Sequence, residues 1–189
     1  EVEKVLINLH YLPHKVEKFL ETQKHRKFKL LKFFEKELLG TAGTLIANAE
    51  FFKNSTGILI HADNFSSFNL KELIEAHNNR PKNCLITMLV FRSDNPKTCG
   101  IVELNSNNVV TSFEEKSNNP RSNIANGAVY IFDNNFLAWL LKFHEEACDF
   151  STQIIPKLLG KIYVHQIDCD YIDIGTLPNL KKAIAIANQ

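Results

Sequence analysis

The sequence has almost no net charge, no pattern of paired cysteines and no long apolar run. Lys and Arg number 22 against 21 Asp and Glu, a formal charge of +1. No global field therefore draws the chain to nucleic acid or to a membrane. The four cysteines, Cys84, Cys99, Cys148 and Cys169, form neither a Cys-x-x-Cys pair nor a zinc-like spacing. They read as buried or half-buried thiols of a reducing cytoplasm. No stretch is long enough for a bilayer-spanning helix, and no secretory leader opens the chain. Repeats, linkers and low-complexity segments are lacking too. The first residue is Glu1 rather than Met, and the chain reads as the interior of a longer protein.

What is there is enough for a core. Hydrophobic residues make up 44% of 189, which argues against disorder and for one domain spanning residues 1–189. One local exception to the balanced charge runs from Lys24 to Lys36, where Lys24, Arg26, Lys27, Lys29, Lys32 and Lys36 alternate with Phe and Leu. Such a stretch is either a strand flanked by solvated lysines or a basic, aromatic surface for RNA. The first is the commoner case.

The order of elements is that of an α/β fold. Val5–Leu9 reads as a strand, and Pro13 suits the first turn of a helix striped by Val16, Phe19 and Leu20. Phe28–Phe34 is a second strand. A glycine loop at Gly40 and Gly43 follows, then a helix over Thr44–Phe52. Gly57–Ile60 is a third strand. Leu70, Leu73, Ile74 and His77 mark a helix capped by Asn69. Cys84–Phe91 is a fourth strand. This alternation predicts a Rossmann-like, mixed but mostly parallel sheet with helices on both faces. The rhythm then changes. Gly100–Leu104 and Val109–Phe113 flank an Asn-rich turn and read as a hairpin. Ala128–Phe132 is a strand. Asn135–Phe143 is a helix with Phe136, Leu137, Leu140 and Leu141 inward and Trp139 in the core. Ser151 is the expected cap of a short helix through Leu158. Ile162–Ile167 and Tyr171–Ile174 are strands, and Pro178 opens a last helix with Leu180, Ala183, Ile184 and Ala187 on one face.

Two carboxylates stand at the ends of short apolar strands: Asp63, after Gly57–Ile60, and Asp173, in Tyr-Ile-Asp-Ile-Gly-Thr. In an open α/β sheet ligands gather at the carboxyl ends of strands. Each Asp is either a turn or cap residue or a ligand for a metal ion. The two histidines four apart, His10 and His14, straddle a proline-marked boundary with no carboxylate in register and read as ordinary surface residues.

Five segments stand in order: Leu39-Gly40-Thr41-Ala42-Gly43, His61-Ala62-Asp63, Cys99-Gly100-Ile101-Val102, Phe113-Glu114-Glu115-Lys116 and Asp173-Ile174-Gly175-Thr176. With the runs from Ala125 and Phe150, this set resembles the sugar-phosphate nucleotidyltransferases. Mannose-1-phosphate and heptose-1-phosphate guanylyltransferases belong to that group. The likeness covers nearly the whole chain, and the ordered set carries it rather than any single motif. It implies transfer of a nucleoside monophosphate, GMP from GTP, to a heptose or mannose 1-phosphate with release of pyrophosphate. It also implies Mg²⁺ as cofactor and a cytoplasmic enzyme of nucleotide-sugar biosynthesis, with a homodimer left open.

Residue by residue, the resemblance implies that Gly40, Thr41, Ala42 and Gly43 contact the nucleobase and that Asp63 and Asp173 bind Mg²⁺. It implies that Gly100 touches the sugar, that Glu115 accepts from sugar hydroxyls and that Lys116 grips the sugar phosphate. Asn126 and Gly127 would line the sugar pocket. The chemistry is coherent, because nucleotidyl transfer needs charge neutralised at the α-phosphate and the nucleophile held in line. A sugar phosphate oxygen is already anionic and needs no general base. Two departures from the family pattern stand out. No Gly-x-Gly-Thr-Arg-Leu loop, which would cradle the triphosphate, occurs in the chain, so the first strand and loop of such a fold are expected to be missing and their apolar neighbours exposed. Asn126-Gly127-Ala128 stands where Asn-Ala-Gly is usual, and Ser117 replaces a proline. The alternatives are a sugar-phosphate-binding module without turnover and a remnant that needs a partner chain to complete its sheet.

Overall fold

The computed structural model describes residues 2–23 and 27–188. Lys24 and Arg26 of the basic stretch lie outside them. In chain order the elements begin with β1 (Lys4–Leu9), α1 (Pro13–Thr22), β2 (Lys29–Phe34) and α2 (Gly40–Ala47), then a 3-10 turn (Ala49–Phe52). Next come β3 (Gly57–Ile60), β4 (Asn64–Ser66), α3 (Leu70–Asn78) and β5 (Ile86–Arg92). The hairpin is β6 (Gly100–Leu104) and β7 (Val110–Glu115), followed by β8 (Ile124–Phe132) and α4 (Asn134–Phe143). A wide turn (Phe150–Ile154) and a 3-10 turn (Ile155–Leu158) lead to β9 (Ile162–Ile167), β10 (Tyr171–Asp173) and α5 (Leu177–Ala187).

The six-stranded sheet has the order β7-β6-β8-β5-β9, with β3 also paired to β8. β9 runs parallel to β5, while β8 runs antiparallel to both β3 and β5. So β3, β5 and β9 share one direction, and β8 opposes them. This is the mixed, mostly parallel α/β architecture expected from the alternation of elements.

Burial on both faces explains why β5 reads as a continuous apolar run rather than an alternating one. Ile86, Met88 and Val90 face one layer, with Tyr130, Phe132, Phe136 and Phe150. Leu89 faces the other layer, with Leu73, Val129, Ile131 and Ile167. Helices α2 and α4 thus close one face and α3 the other. A buried polar pair lies in the second layer, His77 on α3 and Thr87 on β5, with His77 Nδ1 3.0 Å from Thr87 Oγ1.

Several expectations are corrected. The glycine loop is the first turn of α2, and the helix expected over Thr44–Phe52 is divided between α2 and the 3-10 turn. β8 begins at Ile124, because Asn126-Gly127 lies inside the strand at a bulge opposite Met88–Val90. The cap after α4 is Asp149, whose Oδ1 accepts from Thr152 N at 2.7 Å, and not Ser151. Leu141 is 39% exposed, since it lies beside the buried Leu140 on the solvent edge of the stripe. On α5 only Ala183 is buried. Cys148 is exposed, and all four thiols are free. β4 had no sequence signal: three residues of mixed character become a strand by pairing with β10.

β1 and β2 pair in parallel with each other and form a separate two-stranded sheet. Among the described residues, β3 carries a strand on one edge only. Ile60 at its end is 49% exposed and Phe34 at the end of β2 is 60% exposed.

Candidate active site

The pairing of β4 with β10 brings together two carboxylates 110 positions apart in the chain. Asp173 lies opposite Asn64, and Ile174 N donates to Asp63 O at 2.8 Å. Both Asp side chains are exposed at this end of the fold. Asp173 Oδ1 accepts from Gly175 N at 2.7 Å, and its carbonyl accepts from Asn179 Nδ2 at 2.8 Å. The short turn through Gly175 therefore holds the side chain in one orientation ahead of α5.

Gly127 connects this end to β8. Its carbonyl accepts from Tyr171 Oη and from Asn64 Nδ2, the latter at 3.4 Å. A Cβ at Gly127 would stand 2.6 Å from Leu89 Cδ2 and 3.1 Å from Leu89 O, so a larger residue would have to displace the buried Leu89 side chain. Tyr171 stacks on Phe91 with ring centroids 4.4 Å apart. Burial, with Tyr130 and Asp63 nearby, raises its phenol pKa. The Asn126 amide is engaged inside β8: Nδ2 donates to Tyr130 Oη at 2.7 Å, and Oδ1 accepts from Ala128 N at 2.9 Å. That second bond spans a left-handed residue, Ala128, with φ of 49°. The glycine of this segment thus serves a close approach at 127, while alanine occupies the strained position at 128.

Gly100 and Glu115 face each other in the β6–β7 ladder. A Cβ at Gly100 would come within 2.7 Å of Glu115 Oε2 and 2.8 Å of the Phe113 ring, so a larger residue there would displace both side chains. Desolvation raises the Glu115 pKa above the ordinary carboxylate value; Lys116 opposes the shift and Asp149 adds to it. Lys116 turns out of the ladder at φ 49°, anchored by its N–H to Cys99 O at 3.0 Å. Its side chain is exposed.

Gly40, Thr41, Ala42 and Gly43 are held from the far side by the segment after α4. Ala42 N and Gly43 N donate to Cys148 O at 2.9 and 3.3 Å. Thr41 Oγ1 accepts from Phe150 N at 2.8 Å. Gly40 has φ 77°, and a Cβ there would meet Cys148 O at 2.4 Å. These amides are thus bonded within the fold, and Ala42 is fully buried.

The β4–β10 pair, with Asn64 and Tyr171 bonded to the Gly127 carbonyl, brings Asp63, Asp173 and Gly127 to one end of the fold, and the β6–β7 ladder holds Gly100, Glu115 and Lys116 together. Asn126 and Tyr130 on β8 lie between them. The Tyr130 ring packs against Phe150 at a tilt of 35°, centroids 4.5 Å apart, which ties the Gly40–Gly43 turn to the same strand. Sequence reasoning missed Asn64, Tyr130, Tyr171 and Glu35. A tyrosine inside an apolar strand carries no signal of its own; only the register shows what its hydroxyl meets.

A family model described as "Nucleotidyl transferase" matches residues 1–189. The chain is 26% identical over 154 residues to a glucose-1-phosphate adenylyltransferase of Clostridium acetobutylicum, covering 76% of this chain and 40% of that protein. The chain thus spans less than half the length of the curated relative it matches. Among solved structures, HddC from Yersinia pseudotuberculosis superposes with a TM-score of 0.83 at 20% identity, covering 98% of this chain and 79% of HddC. HddC complexed with GMP-PN superposes with a TM-score of 0.80 at 20% identity, covering 96% and 77%.

Proposed function

The chain belongs to the nucleotidyl transferase family, and on that premise we propose that it carries the metal and sugar-phosphate side of a sugar-1-phosphate nucleotidyltransferase. The donor is proposed as GTP and the acceptor as a heptose or mannose 1-phosphate. The guanine assignment draws on the five ordered segments and on HddC having been complexed with GMP-PN. The curated relative is an adenylyltransferase, so the base is the finer part of the proposal. The products are a nucleoside diphosphate sugar and pyrophosphate.

One observation carries this reading: Asp63 and Asp173 arrive at the same end of the fold through the β4–β10 pair. No group of three or more His, Cys, Asp or Glu is placed to hold a metal ion among the described residues. Two carboxylates with no third protein anion suit Mg²⁺, which keeps phosphate and water oxygens in its remaining positions. Asp63 and Asp173 would hold the ion, which would neutralise charge on the transferred phosphate. The remaining roles fall to the chain's own side chains. Lys116 supplies a point charge for the sugar phosphate. Glu115 accepts from sugar hydroxyls, and the bare backbone at Gly100 lets the sugar approach. Gly127 shapes the pocket wall, with Asn126 holding the bulge beside it. Gly40, Thr41 and Gly43, half-buried around the buried Ala42, present a small-residue surface to the base. In-line attack by the anionic sugar phosphate on the α-phosphate then needs positioning and charge, not proton abstraction.

The test is Mg²⁺-dependent pyrophosphate release with GTP and mannose 1-phosphate in the complete protein. Asp173→Asn is expected to lower turnover by roughly 10²-fold or more, the scale of losing a group that stabilises transition-state charge, with thermal unfolding unchanged. Undiminished release would overturn the two-carboxylate assignment. Lys116→Ala is expected to weaken the sugar phosphate and not the nucleotide. Equal weakening of both would reduce the lysine to a structural role.

A further inference from the structure

Glu35 is the only acidic side chain buried among the described residues, with 2% of its surface exposed. It sits one residue past β2, and nothing in the proposed chemistry uses it. Its backbone N–H donates to Leu9 O at 2.8 Å, and its carbonyl lies 3.0 Å from His10 Nδ1. The main chain of Glu35 thus belongs to the β1–β2 pair. The side chain reaches the other way: Oε2 accepts from Leu39 N at 3.3 Å, and Oε1 accepts from Thr44 Oγ1.

Those two partners bracket the segment from Gly40 to Gly43. α2 opens at Leu39 with no capping side chain of its own neighbouring residue, although the first amides of a helix need acceptors. Glu35 supplies one from outside the helix. On the opposite side, Cys148 O accepts from the amides of Ala42 and Gly43, and Phe150 N donates to Thr41 Oγ1. The first turn of α2 is therefore clamped between a buried carboxyl and the segment after α4.

We infer that Glu35 is a positioning residue for the nucleotide side of the site: it sets the first turn of α2, and through it the Gly40–Gly43 surface, by hydrogen bonding. The inference rests on the assignment of that surface to the base. A buried carboxyl with a backbone amide and a hydroxyl as partners has a natural substitute. In Glu35→Gln the amide oxygen can accept from Leu39, and the NH₂ can donate to the Thr44 hydroxyl. Glu35→Ala removes both bonds, and Thr44→Val removes one.

Three measurements on the full chain test this: amide exchange at Leu39–Thr44 against β5 and β8, affinity for GTP, and affinity for mannose 1-phosphate. For Glu35→Ala, exchange at Leu39–Thr44 is expected to rise about tenfold, the scale of one lost net hydrogen bond, while β5 and β8 stay protected. GTP affinity is expected to fall by about the same factor, and mannose 1-phosphate affinity to stay unchanged. Glu35→Gln is expected to restore both quantities, and Thr44→Val to fall between. A uniform rise of exchange with equal loss of both ligands would overturn the inference, leaving Glu35 a packing residue. So would unaltered exchange at Leu39–Thr44. If the unsubstituted chain binds mannose 1-phosphate but not GTP, the base assignment falls. Local exchange and its rescue by Gln then still decide whether Glu35 sets α2.

Discussion

The β1–α1–β2 unit and the sheet around β5 and β8 both carry apolar residues in regular elements but are packed to different depths. α1 has a clear apolar stripe, yet Val16 and Leu20 are only half-buried and Phe19 is 60% exposed. β1 and β2 make a full parallel ladder of six residue pairs. By contrast, every residue from Ile86 to Val90 in β5 is buried. Hydrogen bonds and periodicity are thus sufficient to make elements in both regions. What separates them is the area removed from water, which scales with the layers on either face. The candidate site follows the same division. The residues proposed for sugar and metal hang on β6, β7 and β8 of the packed sheet and on the β4–β10 pair beside it. The poorly covered unit contributes only Glu35, through its contact with α2.

Removing a ring from each region is the strongest way to break this comparison. Phe136→Ala, in the layer beneath β8, is expected to cost about 3–5 kcal/mol in urea unfolding. Phe19→Ala on α1 should cost no more than about 0.5 kcal/mol. Similar losses at the two positions would show that α1 is covered in solution.

The polar pair in the second layer gives a smaller effect with a defined pH window. Burial, assisted by the Arg80 guanidinium and opposed by Asp133, pushes the His77 pKa down to about 4. A depressed histidine means that the fold holds the neutral ring. Its contribution is complete above the unfolded value near 6.5 and is lost as pH falls toward 4. Between those limits His77→Gln should lose on the order of 2 kcal/mol less stability than the unsubstituted chain. Parallel pH profiles would show that the ring is hydrated.

The smallest effect sharpens the picture within β8. Ala128 at φ 49° bears a left-handed backbone that glycine adopts without penalty. Ala128→Gly should raise the urea midpoint by an amount equivalent to about 0.5–1 kcal/mol. A lower midpoint would mean that the alanine methyl, packed beside the first layer, matters more than the strain.

Much of this was legible beforehand, for identifiable reasons. β5 is a nearly unbroken apolar run, and β9 carries Ile162, Val164 and Ile167 inward between more polar residues. α3 announced itself through Leu70, Leu73, Ile74 and His77 behind Asn69, whose side chain does accept from Lys71 N. The order Asp63, Gly100, Glu115, Asp173 pointed to the family. The start of β8 was hidden by Asn126-Gly127, a turn pair that here sits at a bulge. The Gly40 segment looked like a loop because two glycines suggest freedom, yet only Gly40 has a positive φ. β4 was invisible because three residues have no period.

Chain order, residue type and periodicity therefore determined the α/β class, the family and the two carboxylates worth watching. Tertiary structure alone decided that Asp63 and Asp173 share one end of the sheet, that Glu35 faces into α2 and that α1 stays uncovered. The physical reason is that side-chain spacing acts over one or two turns or strands. Pairings such as β4 with β10, more than 100 residues apart, are set by which hydrogen-bonding edges and apolar faces remain once the local elements have formed.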